Sequence, residues 1–125
     1  MKLEHIALTI TDHTEIKQFY QKILGFTEIR SFNLQKDLAR EIFGFGKETK
    51  VFHLQKDDLS LELFLMPERF EHVYNHLCIS VPNREAIVNK AIRDGYACIR
   101  VRRQYSDMIF LKDKGGNVFE IKQIQ

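Results

Sequence analysis

Apolar residues fall on alternate positions in Glu4-His5-Ile6-Ala7-Leu8-Thr9-Ile10, and the same pattern returns in Asn75-His76-Leu77-Cys78-Ile79-Ser80-Val81. Alternation of this kind marks a strand with one buried face. After each strand the apolar spacing changes to three and four. Ile16, Phe19, Tyr20, Ile23 and Leu24 lead to Gly25, and Ile87, Val88, Ala91 and Ile92 lead to Gly95. This spacing predicts helices over 12–25 and 83–95. Asp12 and Glu15 are placed as a capping box for the first, Asn83 as the cap of the second, and the glycines as left-handed stops. Strand-like segments follow at 26–33, 51–55 and 59–66 in the first half and at 96–103, 108–112 and 117–124 in the second. Polar turns, Lys56-Asp57-Asp58 and Asp113-Lys114-Gly115-Gly116, join the last two strands of each half. Each half therefore reads βαβββ: a repeat with the first module at about 1–66 and the second at about 74–125, broken near Pro67 to Val73 and expected to form one domain.

The halves differ in length: 57 positions separate His5 from Glu62, but 44 separate His76 from Glu120. The excess lies mostly in 34–50, where Leu38, Ile42 and Phe43 suggest a short helix and Gly44-Phe45-Gly46 a mobile connection. It reads either as a surface excursion or as a lid over a pocket.

Side chains alternate across a strand, so parity decides which residues meet. Ile6, Leu8 and Ile10 share one face with the helices, and His5, Ala7 and Thr9 take the other. Leu61, Leu63 and Leu65 oppose Ser60, Glu62 and Phe64. The second half repeats this, with His76, Cys78, Ser80 and Glu120 away from the helices. A carboxylate among Leu61, Leu63 and Phe64 is costly to bury unless it is paired or metal-bound. His5, Glu62, His76 and Glu120 thus form one facing set of two imidazoles and two carboxylates, suited to a single Zn, Ni, Co, Fe or Mn ion with room beside it for water or substrate.

Composition narrows the partners. The 125 residues are 44% hydrophobic, enough for one core, and the formal net charge is +2 with no basic run, which argues against nucleic acid. Cys78 and Cys98 lack CxxC spacing and read as free thiols of a reducing compartment. Apolar stretches such as Leu61 to Met66 are far shorter than the roughly 20 residues of a membrane helix. With no signal-peptide pattern at the start, a cytoplasmic protein is expected.

The stretches carrying the two histidines, with Phe19-Tyr20-Gln21-Lys22-Ile23-Leu24-Gly25-Phe26 and Asp113-Lys114-Gly115-Gly116-Asn117-Val118-Phe119-Glu120-Ile121, resemble the vicinal oxygen chelate superfamily over nearly the whole chain. That group includes glyoxalase I, fosfomycin resistance proteins, methylmalonyl-CoA epimerase, extradiol dioxygenases and metal-free bleomycin-binding proteins. The resemblance implies an α+β fold in which two βαβββ modules make an open curved mixed barrel around one divalent metal ion, usually in a homodimer. It leaves open whether the site forms within one chain or between two. His/Glu/His/Glu at the four positions is similar to glyoxalase I. The resemblance then implies a lyase or isomerase that acts on a small substrate with vicinal oxygens through an enediolate-type intermediate. Glu120 is the first choice for the base and Glu62 the second. The alternatives are a small-molecule binding or resistance protein without turnover, or another superfamily reaction such as thiol transfer or epimerisation.

The glyoxalase arginine of the first strand is absent, since the strand runs Ala7-Leu8-Thr9-Ile10. Arg30, Arg100, Arg102 and Arg103 are candidate replacements, or simply solvated charges. His53 reads as an ordinary strand histidine or a cavity-facing proton shuttle. Cys78 reads as a core-filling thiol or part of the pocket lining. Tyr20 reads as core, and His13 and His72 carry no role.

Overall fold

Eight strands form two four-stranded sheets that repeat one topology. β1 (Ile6–Ile10), β2 (Thr27–Leu34), β3 (Thr49–Lys56) and β4 (Leu59–Leu65) lie in the order β1-β4-β3-β2. β5 (His76–Val81), β6 (Ala97–Val101), β7 (Met108–Lys112) and β8 (Val118–Gln123) lie in the order β5-β8-β7-β6. β1 pairs with β4 and β5 with β8 in parallel, and all other pairs are antiparallel. The result is the expected α+β arrangement of two βαβββ modules with open, curved sheets. The structure is a computed structural model and describes residues 1–68 and 73–125. His72 lies outside the described residues.

The first helical segment departs from expectation. Instead of a regular helix over 12–25, Ile16–Gln21 is wound as a π-helix, with Lys22 N–H bonded to the Lys17 carbonyl and Leu24 N–H to that of Phe19. Phe19 and Tyr20 are both fully buried, as their place in the apolar spacing requires. The capping box does not form. Asp12 instead accepts from the Thr14 backbone N–H and hydroxyl, at 2.9 and 2.8 Å. Glu15 is fully buried and accepts from the Tyr96 hydroxyl and, at 2.6 Å, from the Lys114 N–H. A tertiary demand on that carboxylate has overridden the local one.

The second helix, α2 (Arg84–Arg93), follows the pattern: the Asn83 side chain accepts from the Ala86 N–H at 3.2 Å. Gly25 and Gly95 end the two helical segments at φ of 81° and 84°, a conformation that a Cβ disfavours. The excursion supplies α1 (Lys36–Phe43), which closes on Gly44 in the left-handed conformation.

Both sheets turn one face into a single core. Ile10, Leu61 and Leu63 from the first sheet, Leu111, Phe119 and Ile121 from the second, and Phe19, Tyr20 and Ala91 from the helices belong to one apolar cluster. The ring of Phe19 sits 4.9 Å from that of Tyr96 and 5.5 Å from that of Phe119, so the first module's helix packs on the second module's sheet. Contacts of this geometry add about 0.5–1.5 kcal/mol each beyond area burial.

Polar groups pin the same seam. The Tyr20 hydroxyl donates to Asp113 at 2.8 Å, Asn117 N–H donates to Asp113 at 2.7 Å, and the Asn117 amide donates to the Thr9 carbonyl at 2.6 Å. Asp113 and Asn117, read in the sequence as a family signature, thus serve to lock the β7–β8 turn onto β1 and the π-helix.

Burial, followed by the charge of Asp113, holds the Tyr20 phenol well above its ordinary pKa. Burial and the hydrogen bond to Glu15 raise that of Tyr96. The unfolded chain ionises both near pH 10, whereas the folded chain keeps both protons. Their contribution is intact below about pH 10 and is lost progressively above it, because there the folded state binds more protons than the unfolded state. Chemical denaturation across this range should show stability falling with pH. Tyr20→Phe and Tyr96→Phe should each flatten the fall, and an unchanged slope in the double variant would exclude the tyrosines.

Candidate metal centre

The four predicted residues come together as two matching pairs. His5 Nε2 lies 3.1 Å from Glu62 Oε1, with side-chain exposures of 48% and 17%. His76 Nε2 lies 3.9 Å from Glu120 Oε1, with exposures of 45% and 15%. The matching exposures show that the repeat holds at the level of single side chains. His5 sits just ahead of β1, one residue before the ladder begins. His76 opens β5, and its Nδ1 lies 2.9 Å from the Tyr74 carbonyl. A carbonyl only accepts, so Nδ1 is the donor there, which leaves Nε2 as the ring nitrogen available to a metal. Glu120 has a longer histidine contact than Glu62 but two further neighbours: Lys122 at 4.0 Å and the Cys78 thiol, which hydrogen-bonds to it.

The ladders extend each pair into a row on the face away from the core. In the first sheet Ala7 and His53 flank Glu62, and Arg30 lies opposite His53. In the second, Cys78 and Phe110 flank Glu120, and Ile99 lies opposite Phe110. Cys78 is therefore exposed beside Glu120 and not core-filling, because its parity turns it to the open face; burial and the Glu120 charge raise its pKa. His53 shares the face of Glu62, and both of its ring nitrogens are buried without a hydrogen-bond partner. His13 packs against Phe52, at 5.2 Å between rings, outside the rows.

The two pairs do not merge within one chain. Among the described residues no group of three or more His, Cys, Asp or Glu side chains is set to hold a metal ion. Each half instead offers one half-exposed imidazole and one mostly buried carboxylate. That donor chemistry fits half of a mixed nitrogen and oxygen coordination set.

A cavity of about 950 Å³ adjoins the rows, lined by Ala7, Thr9, Phe43, Phe64, Tyr74 and His76 among others. Its roof is α1. Ala39 is buried against Leu34 and Val51 on the open face of the first sheet, and Phe43 meets Phe64 edge-on at 5.7 Å between rings. The excursion therefore lines a cavity whose walls include His76 but not His5, Glu62 or Glu120.

The family model of the Glyoxalase/Bleomycin resistance protein/Dioxygenase superfamily matches residues 2–121. The chain belongs to this superfamily. Solved structures agree on the fold. The fosfomycin resistance protein FosX of Listeria monocytogenes superposes with a TM-score of 0.75 at 18% identity, covering 100% of this chain and 94% of that one. A glyoxalase family protein of Bacillus cereus gives 0.76 at 12% identity, covering 98% and 93%. A FosX variant from L. monocytogenes in complex with Mn(II) and 1S,2S-dihydroxypropylphosphonic acid gives 0.74 at 20% identity, covering 97% and 90%. No curated protein matches the sequence. Among the described residues of this superfamily member, no helix is long and apolar enough to cross a membrane.

Proposed function

We propose that the chain is a metal-dependent lyase or isomerase of glyoxalase type, acting on a small substrate with vicinal oxygens, and that its site is completed by a second copy. The observation that carries this is the pair of equivalent His–Glu contacts, His5–Glu62 and His76–Glu120, on the open faces of two sheets that share one core. His5 and Glu62 of one copy with His76 and Glu120 of another would make a four-donor set for one Zn, Ni, Co, Fe or Mn ion. Such an ion, when bound, supplies Lewis-acid polarisation of two neighbouring substrate oxygens. The imidazoles hold the set in place, Glu62 is kept close by His5, and Glu120, at the longer distance from its histidine, would move a proton between adjacent carbons.

Elemental analysis of the purified protein beside His5→Ala tests the site, with about one metal ion per chain expected in the first and strong depletion in the second. Hemithioacetal isomerisation by the metal-replete protein tests the reaction, with fosfomycin opening assayed alongside. Turnover of fosfomycin alone would replace the isomerase reading with another reaction of the superfamily. Metal-free protein whose thermal stability ignores added Zn or Ni would favour a binding protein without turnover.

A further inference from the structure

The two rows that meet in the proposed site are equivalent in position but opposite in polarity. Ala7, Glu62, His53 and Arg30 run across the first sheet, and Cys78, Glu120, Phe110 and Ile99 occupy the corresponding places on the second. Where the first module has an imidazole and a guanidinium, the second has a benzyl and a sec-butyl group. Adjacent strands lie about 4.8 Å apart, so Arg30 starts about two strand widths from Glu62. Its flexible side chain can reach back over His53.

Arg30 is also the one of the four candidate arginines that lies in the row of Glu62. Arg100 faces the other side of its sheet and is bound by Glu85 at 2.8 Å and Asp107 at 3.2 Å. Arg102 lies 3.8 Å from Asp107, and Arg103 follows the end of β6. Among the described residues Arg30 is exposed and has no carboxylate partner. Beside it, an imidazole in any protonation state carries at least one N–H, and His53 gives its own to no acceptor. A buried donor left unpaired is costly, so the pair reads as a place where an acceptor is missing.

We propose that Arg30, backed by His53, binds an oxyanion, a carboxylate of the substrate, at the first-module wall of the site, while Ile99 and Phe110 take the apolar part from the second. This rests on the two-copy reading above and adds the orientation of the substrate. The anionic end lies on the Arg30 side of the metal-binding residues, where a guanidinium matches carboxylate geometry with two parallel donors.

Glycerate and glycerol, which differ in having a carboxylate or a hydroxymethyl group at one end, serve as probes, titrated calorimetrically into the full-length protein with and without Zn. Wild-type protein should prefer glycerate by about tenfold or more, the size of one charge-assisted hydrogen bond. Arg30→Met and His53→Phe should each erase most of that preference, and Arg30→Lys should restore part of it. Arg30 is exposed, and phenylalanine is what the second module carries opposite Glu120, so both variants should keep the fold. A preference unchanged in Arg30→Met, or absent from wild type, overturns the proposal. Should the protein hold no metal yet prefer glycerate only when Arg30 is present, the oxyanion wall stands and the metal reading alone falls.

Discussion

Two inactive variants, His5→Ala and His76→Ala, are expected to restore each other when co-expressed or refolded together. If His5 and Glu62 of one copy meet His76 and Glu120 of another, a mixed dimer contains one site with both lesions and one site with neither. Random exchange makes about half the dimers mixed, so about a quarter of the wild-type sites, and of the wild-type metal and activity, should return. A site built within one chain returns nothing, because every chain then carries a lesion in its own site. Under the proposed two-copy site the first result is expected, since each chain presents its histidines, about half exposed, in two separate pairs. The readout needs only metal content, so it is independent of which substrate the site takes.

Replacing Glu120 by glutamine should lower hemithioacetal turnover by about a hundredfold to ten-thousandfold, the usual contribution of a positioned base. Glutamine keeps an oxygen for a metal but accepts no proton at neutral pH, so metal content should fall little while kcat collapses and KM hardly moves. Glu62→Gln should cost less in kcat. Glu62 is held at 3.1 Å by His5, whereas Glu120 stands 3.9 Å from His76, and this longer histidine contact is the reason to expect the base at Glu120. Equal losses in the two variants would show that the carboxylates share one role. Loss of metal from Glu120→Gln alone would assign Glu120 to holding the ion.

The repeat, the strands and the faces of Glu62 and Glu120 were legible because alternation and spacing are local properties. Ile10, Leu61 and Leu63 are fully buried, as parity requires. The short helix in 34–50 was legible for the same reason, from Leu38, Ile42 and Phe43. Other features were not, because they depend on distant chain segments. Glu15 looked like half of a capping box, yet Tyr96 and Lys114, far along the chain, claim its carboxylate and the helix is π-wound beside it. His53 read either as an ordinary strand histidine or as a cavity-facing shuttle, and Arg30 either as a replacement anchor or as a solvated charge; only the register placed both in the row of Glu62.

The sequence by itself determined the two βαβββ modules and the shared face of His5, Glu62, His76 and Glu120, the quartet proposed to bind metal, since a period of two and a repeated histidine need no long-range information. Only the tertiary structure decided that the quartet appears as two separate pairs, that α1 roofs the cavity, and that the two walls differ in polarity. Those follow from which sheet faces share the core and from the pairing register, and neither is written in any one segment of the chain.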